Sequence, residues 1–206
     1  MRTKVALASI LLIIFAPPVF ATPTEISASN VKPIELKQIV SSARIVALAN
    51  GSAEIVSALG LRNALVGRDI ASTTPELATI PIVTSGHQVI AEKVISQRPT
   101  LVLVDSNTGP KSAVDLIKAS KIKVISITEA WNLRDSYTKV DQIASAIGLK
   151  QQAKILITQM KESISKSKVS IGWKPKVAFL YLRGTSSIYL MGGPGSGADS
   201  LISELG

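Results

Sequence analysis

Between residues 44 and 128, short apolar runs alternate with short amphipathic stretches, and only a few residues link one to the next. Arg44-Ile-Val-Ala-Leu-Ala49, Ala64-Leu-Val-Gly67, Leu101-Val-Leu-Val104 and Lys123-Val-Ile-Ser-Ile-Thr128 each read as a strand. A run that is apolar at successive positions, rather than at every second one, belongs to a strand buried on both faces. Ala53 to Leu59, the segment holding Glu92, and Ala113 to Ala119 have helical spacing. Asn50-Gly51-Ser52 introduces the first of these helices, with Ser52 as the expected N-cap, and Gly60 stops it. Strand and helix in alternation, joined by short links, predict an α/β fold: a parallel sheet with helices on its faces.

From Ser136 the period becomes purely helical. Tyr137, Val140, Ile143 and Ile147, then Ala153, Leu156, Met160 and Ile164, predict two helices in tandem broken at Gly148, the second of them long. Trp173-Lys-Pro175 is a breaker, Val177 to Leu182 and Ile188 to Met191 read as strands, and Ser200 to Leu205 starts a helix. The expected organisation is therefore an α/β lobe over 44–135, connecting helices over 136–172, and the start of a second α/β lobe over 173–206. Two lobes with parallel-rich sheets joined by a long helix form a stiff pair, for which ligand binding brings a small hinge movement rather than wide closure. The second lobe is expected to be incomplete at Gly206, as in a fragment.

The first twenty-one residues have the features of an export signal. Arg2 and Lys4 precede an apolar stretch from Val5 to Phe15, too short for a membrane span, and Val19-Phe20-Ala21 places small residues before an expected cleavage after Ala21. Residues 22–43 are a polar, proline-containing leader into the first lobe. The chain contains no cysteine, so disulfides, thiolate metal sites and lipid attachment through a cysteine are excluded. The formal net charge is +9, of which Arg2 and Lys4 supply two, leaving +7 after cleavage. The basic residues are scattered and aromatic residues make up only 4% of the chain, which argues against nucleic-acid binding. A small acidic ligand suits this balance.

His87 is the only histidine of the chain and follows Gly86, a residue that lets the backbone turn sharply and present its neighbour to open space. Imidazole is a common metal and haem ligand. Asn50, Ser52, Asp105, Ser106 and Asn107 follow strand C-termini, where open α/β sheets bind their ligands. Tyr181, Tyr189 and Arg183 belong to the second strand pair and are further cleft-lining candidates; Tyr137 is a possible second ligand or stacking group. The glycine-rich run Gly193-x-Gly195-x-x-Ala198, between a strand and a helix, has the form of a dinucleotide fingerprint and leaves a nucleotide-binding enzyme open as a rival reading. No second histidine or cysteine is present to build a triad, and no His-Glu-x-x-His pattern occurs. A bare-metal site would need more ligands than His87 and Glu92 supply.

Three stretches in this order and spacing carry a resemblance: Arg44-Ile-Val-Ala-Leu-Ala-Asn-Gly-Ser-Ala-Glu-Ile-Val-Ser-Ala-Leu-Gly60; Gly86-His87 with Glu92 and Ser96-Gln-Arg-Pro-Thr-Leu-Val102; and Gly195-Ser-Gly-Ala-Asp-Ser-Leu-Ile-Ser-Glu-Leu-Gly206. Together they resemble the periplasmic substrate-binding proteins of ABC importers for haem, cobalamin and ferric siderophores, most of all the haem-binding branch. The resemblance implies a monomeric, non-enzymatic carrier in the periplasm that delivers haem to an inner-membrane ABC permease for iron acquisition. Haem would be the transported ligand, with no catalytic cofactor. In the haem-binding branch the residue after the glycine is commonly a tyrosine that ligates the iron; here it is His87. An arginine often lies two residues on, near a propionate; here that residue is Val89. Glu92 falls where the family's first-lobe glutamate pairs with arginines of the permease. Cobalamin or a ferric siderophore on the same fold is the alternative.

Overall fold

The computed structural model describes residues 42–168, 176–182 and 188–205. The expected export signal, nearly all of the expected leader and Arg183 lie outside these residues. Within them, β1 (Ile45–Ala47), β2 (Leu65–Arg68), β5 (Leu101–Val104) and β6 (Lys123–Ser126) form one four-stranded sheet in the order β2-β1-β5-β6. All three of its pairings are parallel. This is the sheet predicted from the apolar runs. A two-residue hairpin, β3 (Thr84–Ser85) and β4 (Gln88–Val89), lies between β2 and the short helix α2 (Ala91–Ser96).

Alternate residues of a strand point to opposite faces, and β1 shows what that requires here. Ile45, Ala47 and Ala49 enter one core with α1 (Ser52–Val56), Leu101 and Leu103. Val46 and Leu48 enter a second core with Val102, Val104, Val83, Val89, Val94 of α2 and Ile117 of α3 (Lys111–Ala119). The two clusters lie on opposite sides of the sheet, so the central strands are wholly apolar because neither face meets water. The outer strand β6 begins with an exposed lysine, Lys123, a residue that discourages further strand pairing at an edge.

The helices after β6 begin earlier and sit closer than expected. α4 runs Leu133–Ile147, and the Asn132 side chain caps it by accepting from the Asp135 amide at 2.8 Å. Gly148, at φ 79, ends α4 in the left-handed conformation and turns the chain directly into α5 (Lys150–Ser167). Val140, Ile143 and Ala144 of α4, with Leu149, Ala153 and Leu156, belong to the same core as Ile45 and Leu103. The tandem helices thus cover one face of the first sheet.

Two expectations are corrected. β7 (Phe179–Leu182) and β8 (Ile188–Gly192) pair antiparallel, with Leu180 opposite Met191 and Tyr181 opposite Leu190. A parallel pair needs a crossover of a dozen or more residues, whereas the link here is short and permits only a hairpin. Ser52 is not an N-cap. Gly51 holds the position before α1 at φ 71, and the Ser52 hydroxyl donates instead to the Ala49 carbonyl.

Adjacent positions of α3 test the two-faced burial. Ile117 is fully buried and Leu116 is 46% exposed. Ile117→Ala should cost about 2–5 kcal/mol, and Leu116→Ala less than about 0.5 kcal/mol. Both are read from urea unfolding midpoints at unchanged m-value.

Candidate functional site

Two cavities open at the C-terminal ends of β1 and β5, of about 350 and 290 Å³. Asn50, Asp105 and Asn107 line both, so the two are halves of one cleft. This is where a parallel α/β sheet offers loops and helix starts to a ligand.

The floor is built by Asp105, which is 6% exposed. Its carboxylate accepts from the Asn50 amide at 2.8 Å, the Asn107 amide at 3.2 Å and the Thr108 hydroxyl at 2.8 Å. The loop after β5 is thereby closed on itself and tied to the loop after β1. Asp105 fixes the shape of the cleft, and its oxygens are already occupied.

The smaller cavity is walled by Leu48, Asp69, Ile70, Thr84, Gly86, His87, Val89 and Thr108. Gly86 and His87 form the turn of the β3–β4 hairpin. Gly86 takes φ 55 at the first turn position, a conformation that other residues adopt at a cost and that two-residue hairpins demand. The hairpin is anchored where the Val89 amide donates to the Gly109 carbonyl at 2.8 Å and Ile90 to Val83 at 3.1 Å. His87 therefore stands exposed on a tethered turn at the cavity rim. Glu92 follows in the first turn of α2 and is exposed, outside both cavities.

The larger cavity brings in residues the sequence reading did not select: Glu129, Trp131, Lys139 and Met160. Lys139 is 5% exposed although it is a lysine. Burial draws its ammonium below the ordinary lysine range, opposed by the charges of Asp105 and Glu129. The signal was present in the sequence: Lys139 lies on the stripe of α4 that also carries Val140 and Ile143, where a cation is out of place. Trp131 is 63% exposed and precedes α4 at the cavity edge. Asp69 and Ile70 follow β2 and obey the same rule about strand ends that identified Asn50 and Asp105.

Three candidates line neither cavity. Ser52 is fully buried beneath the cleft, its hydroxyl spent on Ala49. Ser106 lines neither of the two cavities but an adjoining groove, which shares Glu129 and Trp131 with the larger one, and it donates to the Glu129 carboxylate. Tyr137 lies under the Lys161 ammonium, 5.2 Å from its ring centre, and lines neither cavity. Tyr181 and Tyr189 lie on β7 and β8. Among the described residues, no group of three or more histidines, aspartates and glutamates is placed to hold a metal ion. The glycine-rich run leads into α6 (Gly197–Leu205), but its start is already capped. Ser196 accepts from the Asp199 amide at 3.2 Å, and the Asp199 carboxylate accepts from the Gly195 amide at 2.9 Å. A carboxylate in that position repels the pyrophosphate that a dinucleotide fingerprint serves, which removes the physical basis of that rival reading.

A family model described as periplasmic binding protein matches residues 45–206. An uncharacterised ABC transporter substrate-binding lipoprotein of Bacillus subtilis strain 168, YvrC, is 27% identical over 168 residues, covering 79% of this chain and 52% of that protein. The periplasmic heme-binding protein RhuT of Roseiflexus sp. RS-1, solved in its apo form, is 30% identical with a TM-score of 0.70, over 80% of this chain and 64% of that one. The heme-binding protein HmuT gives 28% and 0.66, over 79% and 55%. The periplasmic heme-binding protein BhuT, solved with two hemes, gives 26% and 0.66, over 78% and 64%. The chain spans about half the length of the curated relative it matches.

Lys139 makes the site sensitive to pH. An unfolded lysine titrates near 10.5 and the folded Lys139 lower. Between those values the unfolded chain holds the proton that the folded one has released, so stability rises with pH there. Lys139→Met should abolish that rise and increase stability at neutral pH, as measured by chemical denaturation from pH 7 to 10.5.

Proposed function

The chain belongs to the periplasmic binding protein family, and on that premise we propose that it is the haem-binding component of an ABC importer, exported and delivering haem to an inner-membrane permease. The observation that carries this reading is the place of the only histidine of the chain. His87 stands on a glycine-hinged hairpin at the rim of a cleft formed by the C-terminal ends of a parallel sheet. An exposed imidazole on a tethered turn offers a free nitrogen to an axial position of iron. The apolar wall of Leu48, Ile70 and Val89 suits the face of a macrocycle. That several structures of the same fold are heme-binding proteins supports the choice of ligand.

In this reading the protein does no chemistry on its cargo. Asn50, Gly86 and Asn107 line the floor and rim around the ligand, while Asp105 holds their loops. Tyr181, Arg183 and Tyr189 belong to the segment that would supply further contacts. Glu92 serves a different surface: an exposed carboxylate on a short helix, available to a cationic partner and able to set orientation more than affinity.

A titration of residues 22–206 with ferric haem tests the ligand. A saturable one-to-one Soret shift, lost in His87→Ala, is expected. Saturable binding that is indifferent to His87→Ala would remove His87 as the ligand, and no saturable binding would favour cobalamin or a ferric siderophore. Glu92→Arg should leave the haem titration unchanged and reduce by tenfold or more the stimulation of permease ATPase activity in proteoliposomes. Undiminished stimulation would exclude Glu92 from docking.

A further inference from the structure

Trp131 lines the cleft without belonging to either core. It is 63% exposed, the most exposed of the large apolar side chains among the described residues, and it lies at the edge of both the larger cavity and the adjoining groove. Among the described residues that line either half of the cleft, it is the one phenylalanine, tyrosine or tryptophan. A lone exposed apolar residue is ordinary on a convex surface. At the mouth of a concave site it offers a guest apolar area that is unfavourably exposed to water.

The loop that carries the indole is braced on several sides. At one end the Thr128 amide donates to the Gln142 side chain at 2.9 Å, and the Gln142 amide group donates in return to the Thr128 hydroxyl. At the other end the Trp131 amide donates to the Asp135 carboxylate at 3.1 Å, while Asn132 caps α4. Gln142 and Asp135 both belong to α4, so residues 128–132 are tied twice to one rigid element. α6 approaches as well: its first residue, Gly197, lies so near that a side-chain carbon there would touch the Trp131 carbonyl oxygen at 3.4 Å. The indole therefore cannot withdraw from water without breaking bonds that hold its loop.

We infer that Trp131 is a further ligand-contact residue of the cleft, its indole packing against a broad planar ring system that His87 holds from the smaller cavity. This rests on the haem reading above and adds to it a contact that recognises the ring rather than the iron. The two cavities meet through Asn50, Asp105 and Asn107. A ring anchored at His87 and wider than the smaller half extends toward Trp131, where Ile55, Val140 and Met160 supply the other apolar contacts. Flat conjugated rings meet in offset-stacked or edge-to-face arrangements, and tryptophan buries a large apolar area in such a contact. The contact asks nothing of the charged groups of that cavity, Lys139, Asp105 and Glu129.

The test labels residues 22–206 with fluorotryptophan, which gives one fluorine resonance each for Trp131 and Trp173, the two tryptophans of the chain. Trp131→Phe assigns them. Gallium protoporphyrin IX, a diamagnetic stand-in for ferric haem, should shift the Trp131 resonance through the ring current of the macrocycle as binding saturates. Ferric haem should bind Trp131→Ala about tenfold more weakly than wild type. Trp131→Phe should stay close to wild type, and Trp131→Leu, apolar but without a ring, should fall between them. Urea unfolding of each variant checks that the fold is kept. A Trp131 resonance unmoved at saturation, or an affinity indifferent to Trp131→Ala, would overturn the assignment of Trp131 while leaving the haem reading intact. A resonance that ignores exchange from ordinary to heavy water before ligand is added would show the indole covered by protein, and would overturn it equally. If wild type takes up neither porphyrin saturably, the haem reading fails and the inference fails with it.

Discussion

The Asp105 carboxylate joins the two loops on which the cleft depends. Parallel strands deliver their C-terminal ends side by side, but the loops that follow have no ladder to hold them. Asp105 supplies the missing order by accepting the Asn50 amide from the loop after β1 while closing its own loop through Asn107 and Thr108. Without the Asp105 carboxylate the Asn50 and Asn107 amides lose their protein acceptor. Because β1 and β5 are pinned between two cores, the loops inherit a rigid base. The β3–β4 hairpin is then docked on the same loop through Gly109, which brings His87 to the rim.

The cleft that results carries charged side chains in both halves. Around His87 the aliphatic wall of Leu48, Ile70 and Val89 stands beside Asp69, Thr84 and Thr108. In the larger half Lys139 shares the cavity with the Asp105 and Glu129 carboxylates. Ser52 and Asp105 are poor ligands despite their favourable positions along the chain, because their polar atoms are consumed in building the loops.

The sheet was readable in the sequence because strands buried on both faces leave a dense apolar signature, and Ile45 to Ala49 and Leu101 to Val104 have little else to fold into. The turn at Gly86 and the helix stop at Gly148 were readable for a related reason, since each needs a left-handed conformation. What escaped was set by tertiary contact. Ser52 has the chemistry of a cap, but Gly51 precedes it in the left-handed conformation and leaves its hydroxyl to bond backwards. The antiparallel β7–β8 pair followed from a link length that apolar runs alone do not weigh. Lys139 was legible in principle as a cation on an apolar helical stripe. Its importance came only from α4 packing on the first core, which the reading of 136–172 as connecting helices did not anticipate.

Haem delivery, as proposed, depends on one bond, between the His87 imidazole and haem iron, and the chain offers an unusually clean way to look for it. Because His87 is the only histidine, growth on ¹⁵N-histidine labels a single side chain. Pulsed electron paramagnetic resonance of the ferric-haem complex of residues 22–206 then reads whether that nitrogen is coupled to the iron. A histidine nitrogen coupling that changes with the isotope is the predicted result. A bound haem whose spectrum shows only porphyrin nitrogens and is indifferent to the label would contradict the account.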